Sequence, residues 1–157
     1  LTYTADNNPS GLAINPAGTY LYAANSTANT ISIYSIGSTG ALTEVAGSPL
    51  SDEFQHPAGL FVDSTGGYLY VADQGSGQIA TFTITSGTGF PQAVTDSPFG
   101  SESQPSVLAL DPNGNYLFVG NQGAGAGIEA FGNSAGSLNT IATYSVGNTV
   151  SSIAVLQ

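Results

Sequence analysis

The sequence repeats itself three times at an interval of 48 residues, and that period constrains the fold more than any other feature. Pro9-Ser-Gly-Leu-Ala-Ile-Asn-Pro-Ala-Gly-Thr-Tyr-Leu-Tyr-Ala-Ala-Asn25 returns in altered form at 57–73 and again at 105–121. Each copy holds a short apolar run (12–14, 60–62, 108–110), a turn (15–18, 63–66, 111–114) and a second apolar run (20–24, 68–72, 116–119). A period of this length made of short strands fits propeller blades, because the helical and leucine-rich repeats are helix-based or shorter.

With 41% hydrophobic residues in 157, the chain is apolar enough to bury a core. Twenty-one glycines and eight prolines work against helix, while Thr, Ile, Val, Tyr and Phe gather in short runs that suit a pleated surface. The sequence therefore reads as all-β, a single propeller-repeat domain of three complete four-stranded antiparallel blades near 9–50, 57–98 and 105–145. Within each blade, strand A falls at 11–14, 59–62 and 107–110, and strand B at 19–24, 67–72 and 115–120. Strand C (30–36, 78–84, 127–131) carries Tyr34, Phe82 and Phe131 in register; strand D (42–46, 90–94, 138–142) is a more polar edge with Glu44 and Gln92 toward water. Glycine clusters at 37–40, 87–89 and 132–136 supply the turns from C to D.

Residues 2–14 also align with 143–155, so the chain returns to the element on which it opened. On this reading the tail of a strand D at 1–5 and an extra strand A at 152–156 have no partners. Propeller rings typically contain about four to eight blades, so three would leave apolar faces open at both ends. Exposed strand edges template pairing with another chain. The expectation is a homo-oligomer or a filament joined through the terminal strands, according to whether the rotation closes.

The chain has no Lys and no Arg against ten Asp and Glu, a formal net charge of −10. Nucleic acid is excluded as a partner, because affinity for a phosphate backbone comes from Lys and Arg displacing counterions. An anionic membrane surface is excluded on the same ground, and no apolar run reaches the length of a span. The absence of Cys removes disulfides and thiolate chemistry. Leu1 stands first and Met is absent, so the numbering does not start at an initiator. A chain with no site for a trypsin-like protease suits an exposed life, at the surface of a bacterial cell, outside it, or in the periplasm.

The repeated Pro-Ser/Ala-x-x-x-x-Asp/Asn-Pro/Ser-x-Gly-x-Tyr-Leu-Tyr/Phe-Val/Ala-Ala/Gly-Asn/Asp element, followed by Gly-Ala-Leu-Thr-Glu-Val-Ala-Gly-Ser-Pro at 40–49, resembles the YVTN-type β-propeller repeats. Such repeats occur in bacterial surface-layer-associated proteins and in the lactonase family similar to 6-phosphogluconolactonase. The resemblance implies a radial array of four-stranded blades, usually seven, with ligands near the mouth of a central channel. For the lactonases it implies acid/base side chains with Arg holding an anionic group of the substrate. This chain has no Arg and one His, and no catalytic residue is carried over.

Three sets of residues invite a chemical reading. His56, in Gln55-His-Pro-Ala-Gly59, lies on the connection from D to A and is the natural general base, with Asp52 or Glu53 as partner. The matching positions in the other copies are Asn8, Gln104 and Thr149, which reads as a polar loop slot. Asn25, Asp73 and Asn121 close strand B in every copy and could ring one rim to bind a sugar or a cation, or could simply bond their own turns. Asp111, Asn113 and Asn115 resemble the start of a calcium loop, but no bidentate Glu follows at the required distance. The tyrosines at 20, 22, 68, 70 and 116 read as core, and the glycines at 123–127 do not make a phosphate loop because no helix and no Lys follow. No cofactor is implied, and carbohydrate is the remaining ligand class.

On the sequence alone, the expected function is a non-enzymatic extracellular or cell-surface module with a structural, self-assembling or interaction role. The alternatives are a lactonase-like hydrolase, of which this chain would be part, and a carbohydrate-binding propeller.

Overall fold

The computed structural model describes residues 8–124, 127–147 and 149–155. Thirteen strands and no helix are found among them. The first sheet runs β1 (Pro9–Ile14), β2 (Tyr20–Asn25), β3 (Thr30–Ile36) and β4 (Leu42–Glu44) in spatial order. The second runs β5 (Pro57–Val62), β6 (Tyr68–Asp73), β7 (Gln78–Ile84) and β8 (Pro91–Ala93), with β9 (Phe99–Gly100) also paired along β7. The third runs β10 (Pro105–Leu110), β11 (Tyr116–Asn121), β12 (Gly127–Ser134) and β13 (Ser137–Ser145). Apart from β9, strands adjacent in sequence within each sheet are adjacent in space and antiparallel, which is the meander of a propeller blade.

Local chemistry fixes each inner hairpin. Asn15 Oδ1 accepts the Thr19 and Tyr20 N–H groups at 2.9 Å; Asp63 Oδ1 accepts Tyr68 N–H at 2.8 Å and Asp111 Oδ1 accepts Tyr116 N–H at 2.6 Å. A short polar side chain at the start of a turn thus supplies the bonds that the backbone cannot make with itself. Strand β1 then lies against β5, and β5 against β10, so the inner edges of the three sheets meet.

Apolar side chains between successive sheets make the core. Tyr22, Ala24, Ile31 and Ile33 of the first sheet pack on Val62, Leu69, Val71 and Phe82 of the second. Tyr70, Ala72 and Ile79 on the opposite face of the second sheet pack on Leu108, Leu117, Val119 and Phe131 of the third. The Tyr22 hydroxyl donates to the Gly89 carbonyl of the next sheet at 2.8 Å, and that of Tyr20 to the Gly87 carbonyl at 2.7 Å. Outside these two interfaces the repeated apolar positions lie open: Leu12 and Ile14 on the first sheet and Tyr116 on the third are exposed.

The structure departs from the sequence expectation at the outer strands and at the C-terminal end. In the third sheet the outer hairpin extends to Ser134 and Ser145, because Ala135 and Gly136 alone form the turn, with φ of 50° and 81°. Gly132, grouped with that turn on sequence, instead pairs with Asn139 inside the ladder. In the second sheet, the chain beyond β8 turns back to add β9 to β7, and in the first sheet Leu50 makes the matching bridge to Ile31. The extra strand A anticipated at 152–156 is not a strand over its described residues, 152–155. Just before it, Val150 is held near β10 and β11 by bonds from its N–H to the Asn121 carbonyl and from Ser106 Oγ to its own carbonyl. The strand expected at 1–5 lies outside the described residues.

Candidate active site

A groove of about 520 Å³ runs where the inner edges of the sheets meet, lined by Ser10, Gly59, Ser106 and Ser152, with Gln74 and Gln122 on its rim. Gln74 Nε2 donates to Gln122 Oε1 at 3.2 Å, so equivalent positions of the second and third sheets join across it. Ser10 Oγ donates to the Pro57 carbonyl at 2.7 Å and Ser106 Oγ to the Gly120 carbonyl at 3.1 Å. The lining is neutral, and combines hydroxyl and amide groups with the apolar side chains of Leu12, Leu60, Leu108 and Ile153.

The loops entering β5 and leaving β6 share one end of the second sheet. His56 is exposed there, with φ of 54°, and its backbone N–H donates to Asn29 Oδ1 at 2.8 Å. Asn8 and Gln104 have φ of 59° and 60°, and each of the three precedes a proline that opens an inner strand. The slot requires a left-handed backbone, a conformation in which Asn and His are enriched among non-glycine residues. This explains why the position is polar in every copy whether or not an imidazole is used there.

The three residues that close the B strands are all buried, and each serves a different partner. Asn25 Nδ2 donates to Thr30 Oγ1 at 3.1 Å and to Ser32 Oγ at 2.9 Å. Asp73 Oδ1 accepts Gln55 N–H at 2.7 Å and Oδ2 accepts Ser76 Oγ at 2.5 Å, which ties the loop before β5 to the turn after β6. Burial pushes the Asp73 carboxyl above its ordinary value, while the Ser76 hydroxyl, the Gln55 N–H and the nearby His56 pull the other way. Beside Asp73 lies a second cavity of about 410 Å³, with Asp52, Glu53 and Gln78 on its walls. Asn121 Nδ2 donates to Glu129 Oε2 at 3.0 Å.

Glu129 escaped the sequence reading. It is 3% exposed, and its Oε2 also accepts Glu102 N–H at 2.9 Å and the Ser101 hydroxyl. It faces Val119 across the ladder, where the other sheets place Ser32 opposite Ala23 and Ala80 opposite Val71. A carboxylate in a slot filled elsewhere by small residues was the available signal. Its function here is to hold the loop entering the third sheet, as Asp73 holds the loop entering the second.

The residues that resemble a calcium loop are occupied by their own hairpin. Asp111 Oδ2 accepts Asn113 N–H at 3.3 Å while Oδ1 serves Tyr116, and the Asn115 carbonyl accepts Asn133 N–H at 2.8 Å. Among the described residues, no group of three or more His, Asp or Glu side chains is arranged to hold a metal ion.

The family described as lactonase, 7-bladed β-propeller matches the chain over residues 1–100 and 51–155. A protein of Bacteroides uniformis, provisionally assigned as a 6-phosphogluconolactonase, superposes with a TM-score of 0.81 at 18% identity, over 90% of this chain and 42% of its own. The periplasmic gluconolactonase of Pseudomonas aeruginosa superposes at 0.79 and 19% identity, over 95% and 43%. Hydrazine synthase of Kuenenia stuttgartiensis superposes at 0.75 and 16% identity, over 96% and 40%, so the blades by themselves do not select a reaction. The chain spans about two-fifths of the length of these structures. No curated protein matches it in sequence. The family match overturns the expectation of a non-enzymatic structural or self-assembling module and favours the lactonase-like alternative, since family membership is carried by the blade repeat and not by any one cation. Matched over residues 1–155 by overlapping segments, and built of the blades that the match implies, the chain belongs to the lactonase family of seven-bladed β-propellers.

Proposed function

We propose that this protein is a lactonase-like hydrolase that opens sugar lactones with water, and that the groove at the inner edge of its blades forms part of the substrate site. The observation that carries the reading is the groove itself: in a chain of the lactonase family, the innermost strands present hydroxyl groups and the turns after β6 and β11 present amides, a set suited to a polyhydroxylated ring. In such a reaction the oxygen of water attacks the lactone carbonyl carbon, the ring C–O bond breaks, and a hydroxy acid leaves. A base must take the proton of the water and donors must stabilise the developing oxyanion. Of the groups on the loops entering β5 and leaving β6, His56 is of the class best suited to that base near neutral pH. The buried Asp73 carboxylate nearby would stabilise the imidazolium. A location outside the cytoplasm accompanies this reading, supported by the absence of Lys and Arg and by the likeness to a periplasmic enzyme.

The test is the full-length protein supplied with an unphosphorylated aldonolactone, alongside a His56→Asn variant. Asn is the natural occupant of the same slot in the first sheet, so the variant keeps its backbone. Saturable ring opening is expected, with kcat reduced by about 10²-fold in the variant. An unchanged kcat would move the base elsewhere; failure to open any lactone would overturn the reading.

A further inference from the structure

We infer that the groove selects uncharged lactones over phosphorylated ones, and that Gln74 and Gln122 form the clamp that reads the hydroxyls of the ring. The inference rests on the hydrolase reading and deepens it by naming the substrate class. The bond from Gln74 Nε2 to Gln122 Oε1 commits one N–H of the first amide and one lone pair of the second. Gln74 Oε1 remains as an acceptor and both Gln122 N–H groups remain as donors, so the pair presents both kinds side by side. The Ser10 and Ser106 hydroxyl hydrogens are spent on backbone carbonyls, which leaves their lone pairs as acceptors at the groove. A sugar hydroxyl is donor and acceptor at once, and this alternation matches it. Ser26 holds the equivalent place in the first sheet and is too short to extend the pair, so the clamp belongs to the second and third sheets.

A phosphate asks for something else: an excess of donors and positive charge. These blades carry ten carboxylates, no Lys and no Arg. Asp52, Glu53 and Asp73 lie at the same end of the second sheet as His56, the one side chain here able to carry positive charge. The field that these blades contribute at the rim therefore disfavours a phosphorylated ring and is indifferent to a neutral one.

The experiment compares kcat/KM of the full-length protein for an aldonolactone and its 6-phosphorylated counterpart, in chelator at about pH 8, where imidazoles are uncharged. The neutral substrate is expected to be favoured by at least about 10²-fold, and inorganic phosphate is expected not to inhibit. Gln122 is exposed, so Gln122→Arg folds; it should narrow the preference by about tenfold or more and introduce inhibition by phosphate. Gln74→Leu should raise KM for the neutral lactone with little change in kcat. Equal or better turnover of the phosphorylated lactone would overturn the inference while leaving the hydrolase reading intact. An unchanged preference in Gln122→Arg would overturn the clamp. Hydrolysis of neither substrate would remove the hydrolase reading, and this inference with it.

Discussion

Gly11 approaches Ala58 so closely that a Cβ on it would stand 2.1 Å from the Ala58 carbonyl oxygen. Gly59 repeats the relationship with Ser106 at 2.4 Å, and the inner strands can meet along the groove only because both side chains are missing. In the third sheet the volumes are exchanged: Val107 pairs with Gly120, where the first sheet pairs Gly11 with Ala24. Gly11→Ala should therefore destabilise the fold by about 1–3 kcal/mol. Gly100→Ala, where no atom lies within 4 Å of the added carbon, should be neutral or slightly stabilising. Urea denaturation of both variants checks the pair, and equal effects would refute the packing argument.

Tyr22 and Tyr70 are repeat partners that differ in one bond. The Tyr22 hydroxyl reaches the Gly89 carbonyl at 2.8 Å, whereas that of Tyr70, beside the Asn133 amide, has no partner in hydrogen-bonding geometry. Burial raises both phenols, that of Tyr70 to about 12. Tyr22→Phe should cost about 1 kcal/mol, and Tyr70→Phe should cost nothing or stabilise, because it removes an unsatisfied buried group. Phe118 already occupies the third copy of this position. Chemical denaturation of the two variants measures the difference.

Asp73 gives a pH dependence whose sign is fixed by its environment. Burial raises its folded pKa above the ordinary 3.8, so between that value and the raised one the folded state binds more protons than the unfolded chain. Its contribution is most favourable in acid and is lost as the pH rises through the raised value. Asp73→Asn can still accept from Gln55 and can donate to Ser76, as Asn25 and Asn121 do with their own neighbours. The variant should be as stable as the parent or more so at pH 7, with a flatter profile above pH 3.8, read from denaturation midpoints across that range.

His56 separates a backbone requirement from a chemical one. With φ at 54°, His56→Asn should change stability by less than about 0.5 kcal/mol, while His56→Val should cost about 1–3 kcal/mol, since a β-branched side chain resists the left-handed region. Thermal melts of both variants decide this, independently of any assay of activity.

Much of this fold can be read in the repeat. The apolar runs and the turn residues Asn15, Asp63 and Asp111 locate every inner hairpin, and Thr30–Ile36 and Gln78–Ile84 match their expected bounds. The third outer hairpin was harder to place because Gly132 looks like a turn glycine, whereas the chain reverses at Ala135 and Gly136. Strand β9 is two residues long and owes its pairing to the path taken after β8, which no local pattern encodes. At the candidate site, His56 and Asp73 stand out by residue type, but Glu129 and the Gln74–Gln122 bridge do not. Their roles depend on a contact between β12 and a loop residue 27 positions earlier in the first case and between the second and third blades in the second, and only tertiary packing creates those contacts.

The most direct measurement is the rate of proton release when the full-length protein is given an unphosphorylated aldonolactone at constant pH in chelator, titrated over substrate concentration. The account predicts a saturable rate well above that of buffer, lowered in His56→Asn and reduced in apparent affinity in Gln74→Leu. A rate indistinguishable from spontaneous ring opening at every concentration, for a protein shown to be folded, would contradict it.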